Sequence, residues 1–399
     1  MNPYIYIETS SNKFLRSLNT NYNFNKITGF TQMWGKTLEE DILYSDVGPL
    51  ILDMEISTGC NGVNNKVCAY CYKKENNSTD KNMSLDTFKT ILDKMSVECR
   101  ELTFENSNSK IFVNLPVLEN LEVGSDFKIG ENTFKVASIS EEIYRRHILT
   151  QIAFGSGSTA LENPELFDMM KYARSVGVIP NITVADVSED TAQTLSELCG
   201  AVAVSKHADK NACYNTIKKL TDKGMKQVNM HFVVHKNSKI GAIDTINDIK
   251  NDPRLSKMNA IVFLSLKKKG NGEKLQTLEL EGFREIIDYA FEQKIQFGMD
   301  SCSGGKFIEV IKDREDFKKL FEYVEPCEST KISSYINVEG KFYSCSFCEN
   351  SESFKTGIDS VNCSSFVEDV WFNEKTIEWR NNLLKKNSEG WFNCPVFEV

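Results

Sequence analysis

Three cysteines sit close together early in the chain. Thr58 to Tyr72 reads T-G-C-N-G-V-N-N-K-V-C-A-Y-C-Y, so Cys60, Cys68 and Cys71 stand as C-x7-C-x2-C. The C-x2-C pair lets two sulfurs turn toward one metal, and the third thiol arrives from a Gly/Asn-rich loop that bends as needed. A closed zinc or iron–sulfur site usually takes four cysteines. A triad with no nearby fourth ligand leaves one metal position open, and an open position suggests chemistry rather than a structural staple. The other reading is a zinc knuckle completed by a distant Cys or His. Of twelve cysteines, six more crowd the last third: Cys302, Cys327, Cys345, Cys348, Cys363 and Cys394. Cys99, Cys199 and Cys213 are isolated. This clustering predicts two metal sites.

The elements that must position these thiols follow from periodicity. The triad comes directly after an apolar run with strand character, Leu50 to Ile56. Ser84 then caps a helix with an apolar stripe of Phe88, Ile91, Leu92 and Met95. From Thr150 strands and helices alternate. Strands are predicted at Thr150–Phe154, Asn181–Ala185, Ala201–Ser205, Gln227–Val234, Ala260–Leu266 and Ile295–Met299. The helices between them end at glycines such as Gly177, Gly200 and Gly224, and the first is expected to be capped by Asn163, with Pro164 as its first residue. Seven strands separated by helices mean a parallel α/β fold. No G-x-G-x-x-G follows the first strand, which favours a partial (β/α) barrel over a doubly wound sheet. The triad would then lie at the C-terminal mouth of the strands, where active sites of such folds sit. The expected organisation is a lead-in over 1–49, the barrel over 50–300 with a β-rich insertion of two or three short strands at 98–146, and a small C-terminal unit over 301–399 built on a hairpin around Glu339-Gly340. The insertion reads as an exposed decoration rather than a recognition flap.

The chain has 399 residues, 41% of them hydrophobic and 26% charged, which is the composition of a soluble globular protein. A net charge of -9 argues against nonspecific binding to nucleic acid or anionic membrane. Met1 to Thr9 carries no signal pattern, and no apolar run approaches the ~20 residues that span a bilayer. The expected location is the cytoplasm, where cysteines serve as metal ligands and free thiols rather than disulfides.

The triad resembles the cluster loop of radical S-adenosylmethionine (SAM) enzymes. That family's common pattern is C-x3-C-x2-C with an aromatic residue before the last Cys. Tyr70 fills the aromatic slot, and the first gap is seven instead of three. The resemblance implies a [4Fe–4S] cluster on Cys60, Cys68 and Cys71, with SAM on the fourth iron. It implies that Gly155 and Gly157 match the glycines that grip the SAM amino group, although Ser158 and Thr159 stand where the family has an acid. Ser205 and Lys206 would reach the SAM carboxylate, and His231 the ribose. The order of the C-terminal third, with G-I-D at Gly357, D-V-W at Asp369, R-N-N-L-L at Arg380 and C-P-V-F at Cys394, resembles the SPASM/Twitch extension of these enzymes. It implies an auxiliary [4Fe–4S] cluster, with Cys302, Cys327, Cys345 and Cys394 as the preferred ligands and Cys348 and Cys363 in reserve; a zinc staple is the alternative. The implied activity is reductive SAM cleavage with hydrogen abstraction from a peptide or protein, supplied with electrons by a flavodoxin or ferredoxin. A nucleotide or small metabolite is the alternative substrate, supported by the basic run Lys267 to Lys269, and a metal-binding or electron-transfer protein is the non-enzymatic alternative. Asp300 is a candidate acid or base on position alone.

Overall fold

The computed structural model describes residues 4–60, 67–73, 80–119, 121–129, 132–155 and 160–397. The chain opens with an antiparallel meander of β1 (Ile5–Glu8), β2 (Asn12–Arg16), β3 (Asn21–Asn25) and β4 (Thr31–Trp34). β5 (Ile51–Met54) and α1 (Leu85–Asp93) follow, and Ser84 caps α1 by accepting from the Thr87 amide. Then come β6 (Ser96–Phe104), β7 (Ser107–Asn114), the short α2 (Leu115–Leu118), β8 (Asp126–Ile129), β9 (Asn132–Ile139) and β10 (Tyr144–His147).

The lead-in and the insertion turn out to be one structure. β1 pairs with β7, giving the order β4-β3-β2-β1-β7-β6-β9-β8, with β10 also on β6. The expected two or three insertion strands are five among the described residues. Buried charge hides the alternation of the lead-in: Glu8 and Lys13 sit on the core face beside Tyr6 and Leu15, all fully buried. Lys13 donates to the carbonyls of His147 and Leu149 at 2.7 and 2.8 Å. Burial alone would raise the Glu8 carboxyl, but Lys13, Arg146 and Lys26 outweigh it and hold it at about 2.

The second sheet carries the rest. β11 (Gln151–Phe154), α3 (Leu166–Ser175), β12 (Ile179–Val184), α4 (Glu189–Leu198), β13 (Ala201–Ser205), α5 (Lys210–Asp222), β14 (Val228–Val234), α6 (Lys239–Asn251), β15 (Ala260–Ser265), α7 (Leu280–Glu292) and β16 (Phe297–Met299) alternate as expected. All seven strands, β5 included, are parallel and neighbours in chain order. One expected cap is corrected. α3 begins at Leu166 with no side-chain cap. Asn163 instead donates to the carbonyls of Ile56 and Met83, at 2.8 Å each, tying the end of the first strand to the approach to α1.

After β16 come α8 (Gly304–Ile311), α9 (Phe317–Phe321), β17 (Ser333–Ile336), β18 (Lys341–Tyr343), β19 (Ile358–Asp359) and α10 (Glu374–Ser388). The C-terminal hairpin is no separate module. β17 adds in parallel to β5, with Tyr335 opposite Asp53, and β18 and β19 extend the same sheet to ten strands. Trp371 is fully buried and donates to the Ser45 carbonyl at 2.8 Å. Arg380, also buried, stacks over Trp371 at 4.6 Å and donates to the carbonyls of Thr330 and Trp371.

The parallel strands have two distinct faces. Leu52, Met54, Ile152, Phe154, Ile182, Val202, Met230 and Phe263 pack into the main core with the helices. Their neighbours one residue away, among them Asp53, Ala153, Asn181, Ala203, Asn229 and His231, line the other face and are only partly buried. No helix among the described residues is long and apolar enough to cross a membrane.

Candidate metal and cofactor site

The triad leaves the C-terminal end of β5. Residues 61–66 lie outside the described residues; Cys60, Cys68 and Cys71 are each half-buried. The Cys71 amide donates to the Cys68 carbonyl at 3.2 Å, closing the C-x2-C turn. Burial pushes the Cys68 thiol up to about 11, and the nearby Cys71 and Cys60 thiols add to the effect. Among the described residues no three His, Cys, Asp or Glu side chains converge on a single ion position.

The predicted cofactor residues fall around this loop. The Tyr70 hydroxyl is 2.8 Å from His207 Nδ1 and 3.5 Å from the Lys206 carbonyl, and the two rings lie parallel at 6.1 Å. His207 Nδ1 is also 3.4 Å from Cys68 Sγ. His207 was missed in the sequence; its only signal is its place right after Ser205-Lys206 at the end of a strand. Lys206 Nζ donates to the His207 carbonyl at 2.8 Å, and burial lowers its pKa. Ser205 ends β13 opposite His231. Burial pulls His231 down to about 4 against the pull of Asp300, so its imidazole is neutral at pH 7. Gly155, at the end of the strand beside β5, has φ +99°, which glycine tolerates best. Gly157 and Ser158 lie outside the described residues.

Below the loop, the part-exposed strand face mixes polar and small residues with Ile51, Val262 and Leu264. Asn181 Nδ2 donates to Gln151 at 2.7 Å and Asn259 Nδ2 to Asn229 at 2.8 Å. Ala153, Ala203 and Gly298 occupy neighbouring registers with little side-chain bulk. Asp53 sits in this face, and burial pushes its carboxyl up to about 6.

The basic run and Asp300 read differently from expectation. Lys267 is buried and pairs with Asp300 at 2.7 Å, while Lys269 donates to the carbonyls of Phe347 and Glu349. Asp300 also accepts from Ser303. Two of the three lysines therefore hold the fold together, and Asp300 is the counterion of Lys267.

Five of the six late cysteines come together. Cys345 and Cys348 have sulfurs 3.4 Å apart. Cys302 and Cys394 act on each other, which raises the first thiol and lowers the second to about 6. Cys327 is pushed up to about 12 by burial, with Cys345 and Cys394 adding to it. Cys348 thus joins the preferred four. Cys363 stands apart, donating to the Ser360 carbonyl near Lys94.

Comparison with known proteins places this geometry in a fold. No protein-family profile matches the chain, and no curated protein sequence does. Solved structures do. SuiB of Streptococcus suis matches with a TM-score of 0.58 at 13% identity, over 98% of this chain and 99% of that one. SuiB bound to its precursor peptide SuiA matches at 0.54 and 13%, over 88% and 76%. SuiB bound to S-adenosylmethionine matches at 0.51 and 14%, over 88% and 75%. The chain therefore shares the α/β fold of SuiB.

Proposed function

We propose that this chain is a radical SAM enzyme that modifies a peptide or protein. One observation carries the reading: three thiols leave the first strand of a seven-stranded parallel sheet whose fold is shared with SuiB over nearly the whole chain. The donor set fits. Cys60 and Cys71 lie close enough to Cys68 to raise its thiol, and neighbouring cysteine thiolates are the ligands that iron–sulfur clusters take. Cys60, Cys68 and Cys71 would hold a [4Fe–4S] cluster with one iron free for SAM. When bound, that cluster supplies the electron that splits SAM into methionine and a 5′-deoxyadenosyl radical, which takes a hydrogen from the substrate.

The chain's own residues do the rest. His207, just beyond β13, braces both Tyr70 and Cys68 of the triad loop. Neutral His231 and the end of β13 offer hydrogen bonds without adding charge. Gly155 lets a ligand approach the backbone. The small residues of the sheet face leave room for a substrate side chain beneath the loop. The five gathered late cysteines would hold an auxiliary [4Fe–4S] cluster, with Cys302, Cys327, Cys345 and Cys394 joined by Cys348 as a competing ligand. A flavodoxin or ferredoxin would deliver the electron. A peptide substrate is favoured because SuiB, of the same fold, is solved with a precursor peptide. The nucleotide alternative loses its support, since Lys267 and Lys269 are engaged internally.

The test is spectroscopic. Anaerobically reconstituted, dithionite-reduced protein should give a [4Fe–4S] electron paramagnetic resonance signal that changes shape when SAM is added. A signal indifferent to SAM, or one that responds equally in a Cys60→Ala variant, contradicts the reading.

A further inference from the structure

The two cysteine groups are joined by a three-loop clasp. Tyr72 and Lys73 follow Cys71 directly. The Tyr72 ring packs on Phe347 with centroids 4.4 Å apart, and its hydroxyl donates to Ser346 Oγ at 3.1 Å. Ser346 and Phe347 are the two residues between Cys345 and Cys348. The third loop follows β15. Its Asn271 amide donates to the Cys71 carbonyl at 2.9 Å, while Lys269 holds the Phe347 carbonyl at 3.1 Å. Gly270, at φ +56°, passes so close that a Cβ there would lie 2.7 Å from the Cys71 carbonyl.

Charge fixes the centre of the clasp. Glu55, from the end of the first strand, and Glu349, next to Cys348, both bond the Tyr335 hydroxyl, at 2.9 and 3.4 Å. Two carboxylates this close repel unless a cation stands between them. Lys73 is that cation. It pairs with Glu55 at 3.2 Å and with Glu349, and all three side chains are largely buried. Removing one partner of such a network leaves uncompensated buried charge.

We propose that Lys73 is a positioning residue that pins the triad loop to the Cys345–Cys348 loop, so that the triad loads its cluster only when held against that loop. This rests on the reading above that both groups hold clusters. The test uses the full chain, reconstituted anaerobically with iron and sulfide, without SAM. Wild type should hold roughly eight irons per chain. Lys73→Met should fall to about half, with the triad loop cut by protease where wild type resists. Adding Cys60→Ala to Lys73→Met should then change the iron little, and Lys73→Arg should restore it. Iron and protease resistance equal to wild type in Lys73→Met would overturn the proposal. Should Lys73→Met lose the fold, Glu349→Gln cuts the same ion pair from the far side and is judged by the same readouts. Because SAM is absent, this outcome is separate from the enzyme reading, which is judged by what the protein does with SAM.

Discussion

The triad and the C-terminal cysteines solve the same problem in opposite ways. The triad gathers its thiols from one short loop at a strand end, and all three stay half-buried. The C-terminal group draws on residues from Cys302 to Cys394, delivered by the turn before α8, the approach to β17, the loop after β18 and the chain end, and Cys327, Cys348 and Cys394 are buried. A local, half-open set takes all its thiols from one loop and leaves a position for a ligand. A dispersed, buried set exists only once the C-terminal third has folded, so metal bound there is also folding free energy.

The largest effect should come from breaking the dispersed set. Cys327→Ser with Cys345→Ser should remove the metal-linked stability of the C-terminal third and expose it to protease. Cys60→Ala with Cys68→Ala and Cys71→Ala should leave the midpoint of thermal unfolding within a few degrees of wild type. Equal destabilisation by both sets would erase the contrast. A smaller loss should follow from Trp371→Ala, which touches no thiol. Emptying that fully buried site should cost about 3–5 kcal/mol by denaturant titration and lower metal retention at the C-terminal group before the triad. The smallest effect concerns Asp53, under the triad loop. Its carboxyl rises from 3.8 to about 6 in the fold, so folding favours the protonated form. Stability is then greatest below about pH 4, declines as pH rises toward about 6, and stays lower above. Asp53→Asn should therefore gain roughly 1–3 kcal/mol at pH 7.5 and little at pH 4; a gain independent of pH would mean that Asp53 is paired in solution.

What the sequence made legible follows the same division. The seven parallel strands and their helices could be read because each strand is an apolar run and three of the helices end at Gly177, Gly200 and Gly224. The triad could be read because its ligands are neighbours in the chain. The antiparallel sheet could not, because Glu8 and Lys13 interrupt its apolar face, and Arg146 on Glu8 and the carbonyls that hold Lys13 lie more than a hundred positions away. Lys267 looked like a solvent-facing cation because its partner, Asp300, is 33 residues on. Cys345 and Cys348 are equivalent by spacing, and only folding shows that both join the group. The clasp was invisible for the same reason: Tyr72 and Phe347 are each ordinary until the sheet adds β17 beside β5.

The most direct measurement is 5′-deoxyadenosine release. Anaerobically reconstituted protein, given dithionite and SAM, should form 5′-deoxyadenosine and methionine in equal amounts, and the Cys60→Ala variant should form neither above background. Wild-type release no greater than that of Cys60→Ala, in protein shown to hold its iron, would contradict the account.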